Sequence, residues 1–94
     1  MKKSEARTVA LSRLQSLRGT SWSELKSRYL NMPDVIETET ESGAVYQVEI
    51  LAFWDGVAEG DLRVVVSVDD GGWRAIVPLT EDFIVSPDGS FVGE

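Results

Sequence analysis

The run DLRVVVSVDDGGWRAIVPL, residues 61–79, decides the fold, because its two apolar halves fall into one register about a central Asp70-Gly71 pair. An Asp-Gly pair between alternating apolar segments is the chemistry of a two-residue loop, so the stretch reads as a β-hairpin. With that loop, Val68 faces Trp73, Val66 faces Ala75, Val64 faces Val77 and Leu62 faces Leu79, which makes one sheet face apolar throughout. The other face carries Asp61, Arg63, Val65, Ser67, Arg74 and Ile76.

Working back from the hairpin, residues 35–41 alternate threonine with glutamate after Val35-Ile36, as a solvated edge strand does when its charges discourage pairing with another chain. Glu41-Ser42-Gly43 is a turn, and residues 44–54 form a long strand. Tyr46, Val48 and Ile50 mark one of its faces, whereas Leu51 and Phe53 mark the other. This change of parity leaves two readings: a β-bulge near Ile50-Leu51, or a central strand covered on both faces at that end. Residues 55–60, DGVAEG, connect to the hairpin. Pro78 ends its last strand or lies on an edge. A final small hairpin is expected, residues 83–85 against 90–92, joined by Ser86-Pro87-Asp88-Gly89, where proline presets the turn and glycine closes it.

The first third of the chain is helical. Ser4 as cap, Glu5 at the positive end and Gly19 as stop place helix one over residues 5–18. At about 100° per residue, Ala6, Ala10, Leu11, Leu14 and Leu17 share one face and Val9 falls outside it. Ser21 and Glu24 form a capping box that opens a second helix running to about Leu30, before Asn31-Met32-Pro33 breaks it. Trp22, Leu25, Tyr29 and Leu30 are its candidates for burial. The expected architecture is one α+β domain over residues 1–94, with two N-terminal helices packed on one face of an antiparallel meander of about four strands, plus a short C-terminal hairpin.

A chain of 94 residues, 43% of them apolar, suffices for one core and a stability on the order of 5–10 kcal/mol. It contains no cysteine and no histidine. Disulfides, zinc-thiolate sites, thiol nucleophiles and the imidazole base are thereby excluded. Lys2-Lys3 is followed by Ser4, Glu5, Arg7 and Thr8 where a signal peptide needs an apolar core, and the run from Ile50 to Trp54 is too short to span a membrane. A soluble cytoplasmic protein is the expectation.

The net charge of −7 conceals an asymmetry. Residues 1–33 hold seven basic and two acidic side chains, a net of +5, and residues 34–94 hold fourteen acids against Arg63 and Arg74, a net of −12. A basic helical layer docking on an acidic sheet accounts for this. A helix that touches nucleic acid is disfavoured, because the acidic body repels phosphates and the helices offer few aromatics for stacking on bases.

Several motifs have ordinary explanations. Ser23 and Lys26 match an S-x-x-K string, yet no K-T-G companion occurs and Ser23-Glu24 is the first turn of a helix. Asp69-Asp70-Gly71-Gly72 is turn chemistry, and Asp55, Glu59 and Asp61 lack the spacing of a calcium loop. Neither metal nor cofactor is therefore expected. Carboxylates are so numerous that proximity alone marks no acid–base pair. The most interpretable site is the second face of the hairpin, where Arg63, Val65, Ser67, Arg74 and Ile76 combine cations with aliphatics. In this register Arg74 lies opposite Ser67, about 13 Å along the sheet from Arg63. Arg63 and Arg74 either pair with neighbouring acids, Glu49 first among them, or help form a surface for a protein partner or self-association.

The run YQVEI, WD, DLRVVVSVDDGGWRAIVPLTEDFIVSPDGSFVGE resembles small bacterial domains of unknown function that place helices ahead of a β-meander. The resemblance covers about the last fifty residues and implies no activity. The leading expectation is a non-enzymatic protein-interaction module, in one variant an acidic immunity- or antitoxin-like protein that occludes a basic partner. Its rival is a small-ligand binder or enzyme using carboxylates in a cleft between helices and sheet.

Overall fold

The computed structural model of the chain describes residues 2–71 and 78–94. Its elements are α1 (Lys3–Arg18), α2 (Trp22–Tyr29), β1 (Asp34–Glu39), β2 (Val45–Trp54), β3 (Leu62–Asp69) and β4 (Leu79–Val85). The strands form one antiparallel sheet in the order β1-β2-β3-β4, so the class is α+β.

Helix α1 begins earlier than Ser4 implies. Lys2 occupies the cap position with no side-chain bond, and Ser4 lies inside the first turn, its carbonyl accepting the Thr8 hydroxyl at 3.0 Å. Ala6, Ala10, Leu14 and Leu17 are buried, whereas Leu11, expected among them, is 46% exposed. Val9, expected outside, packs against the core. At about 100° per residue, Val9 and Leu11 flank the buried stripe on opposite sides. The Val9 flank leans toward Val48 of β2. The Leu11 flank is on the side of β4, beyond which the sheet ends.

Helix α2 starts as its capping residues dictate: Ser21 Oγ accepts the Glu24 N–H at 3.2 Å, a cap worth about 1 kcal/mol. The Glu24 carboxylate lies 3.9 Å from Arg28 one turn on. Leu25 and Tyr29 are buried, and the Trp22 ring lies 5.9 Å from that of Trp54. Trp22 Nε1 donates to the Gly60 carbonyl at 3.0 Å and Lys26 Nζ to Glu59 at 2.7 Å, so α2 holds the β2–β3 loop by two side chains. The chain leaves α2 through Asn31, in the left-handed region at φ 54°, whose N–H donates to the Ala52 carbonyl at 2.8 Å.

Between β1 and β2 the chain turns at Gly43, whose φ of 84° disfavours any residue with a Cβ. Strand β2 then keeps one unbroken register with β3, from Gln47↔Asp69 to Trp54↔Leu62. No bulge interrupts it. Tyr46, Val48, Ile50 and Ala52 are buried on one face, while Leu51 is half-buried and Phe53 37% exposed on the other. The second reading, cover on both faces, fails as well: these apolar side chains face outward.

The partner of β3 differs from the expected one. Val68 pairs with Leu79, Val66 with Glu81, Val64 with Phe83 and Leu62 with Val85. A two-residue loop at Asp70-Gly71 is therefore overturned. Residues 72–77, and with them Trp73, Arg74, Ala75, Ile76 and Val77, lie outside the described residues. The longer connection lets Phe83 and Val85, both buried, complete the inner face beside Val64 and Leu62.

The small C-terminal hairpin does not form as a pair of strands: Phe83, Ile84 and Val85 are the end of β4, paired with β3, and no described strand forms opposite them on the other side. The Ser86-Pro87-Asp88-Gly89 turn does form, with Gly89 N–H donating to the Ser86 carbonyl and Ser86 N–H to that of Ser90, each at 2.8 Å. Beyond it only an isolated bridge, Val85↔Phe91, and a 2.9 Å bond from Val92 N–H to the Ile84 carbonyl follow.

The buried residues of α1, α2, β2, β3 and β4 form one hydrophobic cluster. Helix α1 meets β3 and β4, and α2 meets β2 and β3. No described helix is long and apolar enough to cross a membrane.

Candidate functional site

The side chains that point away from the core cluster form rows across the strands. One row is Phe53–Arg63–Ile84, the next Leu51–Val65–Asp82, then Val35–Glu49–Ser67–Thr80, then Glu37–Gln47–Asp69. Phe53, Leu51, Val65 and Ile84 thus make an apolar patch at one end of the outer face. Val35, 56% exposed, extends it toward β1. The other end is acidic.

Arg63 stands inside the apolar patch. Its Nε and Nη2 donate to Asp55 Oδ1 at 3.1 and 3.0 Å, and its Nη1 to Asp82 Oδ2. Asp55 chiefly, and Asp82 after it, push the already high guanidinium pKa further up. Arg63 is consequently a brace between the end of β2 and β4. Its acids are these two and not Glu49, which lies beside Ser67. Val65 and Ser67 are half-buried on the same face. Ser67 stands between Glu49 and Thr80, so the register that set it opposite Arg74 does not hold. Arg74 and Ile76 lie outside the described residues.

Electrostatics separate the two sides of the sheet. Toward the helices, Arg7 pairs with Glu81 at 3.1 Å, Arg18 with Glu94 at 2.6 Å and Lys26 with Glu59, so cations of the first third meet acids of the remainder. Arg18 also lies 3.9 Å from the centre of the Phe91 ring and fixes the segment after β4. On the outer face, among the described residues, Glu37, Glu39, Glu49 and Asp69 have no cation beside them. Glu37 accepts only from the neutral Gln47 amide, at 3.0 Å.

The other candidate clusters do not converge. Asp55 binds Arg63, Glu59 binds Lys26, and Asp61 accepts the Ser86 hydroxyl at 2.8 Å. Asp69 accepts the Gly71 N–H at 2.7 Å, as a turn residue does. Among the described residues no group of three or more carboxylates is arranged to hold a metal ion. Lys26 of the S-x-x-K string lies over the Trp22 and Trp54 rings and against Glu59.

A polar cluster lies where α1 meets β2. The buried Tyr46 hydroxyl donates to Glu5 Oε1 at 2.8 Å and Ser42 Oγ to Oε2 at 2.9 Å. These bonds, Tyr46 first, hold the Glu5 carboxyl below its ordinary pKa, while burial and then Glu5 push the Tyr46 phenol up. Because the folded pKa of Glu5 is depressed, the stability it adds is present above the ordinary glutamate value and lost as pH falls through the folded one. Urea midpoints measured from neutral pH down into the carboxylate range should therefore fall less in Glu5→Gln than in the native chain. An equal fall in both would remove Glu5 from the account.

Phe53, Leu51, Ile84, Asp55 and Asp82 were not among the expected site residues. Their signal was the off-parity pair Leu51 and Phe53, which reads as a bulge only if every apolar side chain is assumed to point inward. The chain matches no family model, no curated protein and no solved structure.

Proposed function

We propose that the chain is a non-enzymatic binding protein whose helices close one face of the sheet while the outer face docks a basic protein partner. The observation that carries this reading is the patch of Phe53, Leu51, Val65 and Ile84, bordered by Glu49, with Asp69 one row further along the same face and no described cation beside either acid. Apolar side chains supply the desolvated centre of an interface, and unneutralised acids at its border select a partner of opposite charge and speed its arrival. Arg63 preorganises the patch by locking β2 to β4, so little ordering remains for the moment of binding. Self-association through this face sets acid against acid and is the weaker form of the reading. A cytoplasmic setting is part of this reading, although a chain without cysteine is itself indifferent to the redox state of its compartment.

The test is affinity capture with the tagged chain at low and at high ionic strength. A stoichiometric partner of high isoelectric point, retained at low salt and released at high salt, is the expected result. A partner that is acidic, or whose retention is indifferent to salt, would overturn the reading.

A further inference from the structure

We propose that the edge of β1 that no described strand pairs with accepts an extended basic segment of another protein as an added antiparallel strand. This goes beyond the docking face proposed above and uses different atoms. A sheet in the order β1-β2-β3-β4 has two edges. That of β4 is partly occupied, since Val92 N–H bonds the Ile84 carbonyl and Phe91 bridges Val85.

The phase of β1 follows from the bond at its end. Thr40 N–H donates to the Ala44 carbonyl at 2.9 Å, which makes that pair, and every second pair from it, the hydrogen-bonded kind. Asp34, Ile36 and Thr38 therefore aim their backbone groups at β2. Val35, Glu37 and Glu39 aim theirs away from the sheet, as an unfilled template.

The side chains decide what fills it. Residues of an added strand directly opposite Glu37 and Glu39 would stand about 5 Å from them on the outer face, so lysine or arginine at alternate positions meets both carboxylates. On the inner face, Thr38 lines a groove of about 440 Å³ between α1 and the sheet, walled by Thr8, Val9, Ser12 and Arg13 with Val48 in its lining, while Ile36 packs against the core. The main contacts of α1 are with β3 and β4, and the groove beside Thr38 gives room for β-branched or hydroxyl side chains. Arg13 excludes cations from those inward positions. A second copy of this chain is the wrong occupant: the register that sets Val35 opposite Glu39 of a second copy sets Glu37 opposite itself.

The probe is a capped peptide, Thr-Lys-Val-Lys-Val-Leu-Thr, titrated at low ionic strength by fluorescence anisotropy. It should bind about tenfold or more tighter than the same peptide with glutamate for lysine, and it should protect the Val35, Glu37 and Glu39 amides from hydrogen exchange. Glu37→Pro should abolish binding while leaving the urea midpoint nearly unchanged, because the lost N–H is one that β2 does not use. The surface pair Glu37→Lys with Glu39→Lys, which leaves the backbone intact, should weaken it comparably. Phe53→Asp should not affect it, so failure here is separable from failure of the docking face. Equal affinity for the two peptides, protection confined to other strands, or unaltered binding by both β1 variants would each overturn the proposal.

Discussion

Leu25→Ala should lower the stability of the domain by about 2–5 kcal/mol, the largest effect of any single truncation considered. Leu25 is fully buried. It is the apolar anchor of an eight-residue helix too short to persist without tertiary support. Removing its side chain leaves a void between α2 and the sheet and loosens the two bonds by which Trp22 and Lys26 hold the β2–β3 loop. Since domains of this size are stable by roughly 5–15 kcal/mol, the loss is a large share of the whole. Leu11→Ala, at a leucine 46% exposed, is the matched control and should change stability by about 0.5 kcal/mol or less. Urea unfolding of both variants decides the matter; coincident midpoints would mean that α2 contributes little to the core.

Phe53→Asp should have the opposite signature, a folded domain that no longer binds. Phe53 is 37% exposed at the end of β2, so a charge there keeps contact with water and the cost in stability, about 1 kcal/mol, stays below that of a core truncation. At an interface it sits in the patch with Leu51, Val65 and Ile84, where a desolvated aromatic typically carries about 2 kcal/mol or more of binding energy, and a buried carboxylate adds a further penalty. Capture of the salt-sensitive partner should drop by more than about 30-fold in this variant, while a cooperative thermal transition is retained. Undiminished capture would place the interface elsewhere on the molecule.

The inward face of β3 and the meander order were legible in the sequence, and the register of the last strand was not, for one reason. Leu62, Val64, Val66 and Val68 are all buried, as their period of two requires. The segment opposite them lies six residues further along than the Asp70-Gly71 turn implies, and an even displacement leaves every residue on its original face. Glu81 hid the true strand, because a carboxylate at an inward position breaks the apolar alternation of Leu79, Phe83 and Val85. Nothing local reveals that Arg7, far away in sequence, lies 3.1 Å from it. The capping interaction of Ser21 was readable because it is local. Of the candidate face, Arg63, Val65 and Ser67 could be placed from parity alone, whereas Phe53 and Ile84 join them only through pairings on both sides of β3.

The meander has a consequence for the order in which the molecule assembles. Each strand pairs with the one before it, so the sheet can grow by short loop closures as the chain lengthens, a topology associated with rapid folding. Helix α1 is different: it precedes every strand, yet its cover comes from β3 and from β4, whose residues emerge from the ribosome after all the others in the sheet. During synthesis the stripe of Ala6, Ala10, Leu14 and Leu17 is not fully covered until residues 79–85 have been made. That interval is when a nascent chain of this kind is most open to capture by chaperones or by its neighbours on the same message.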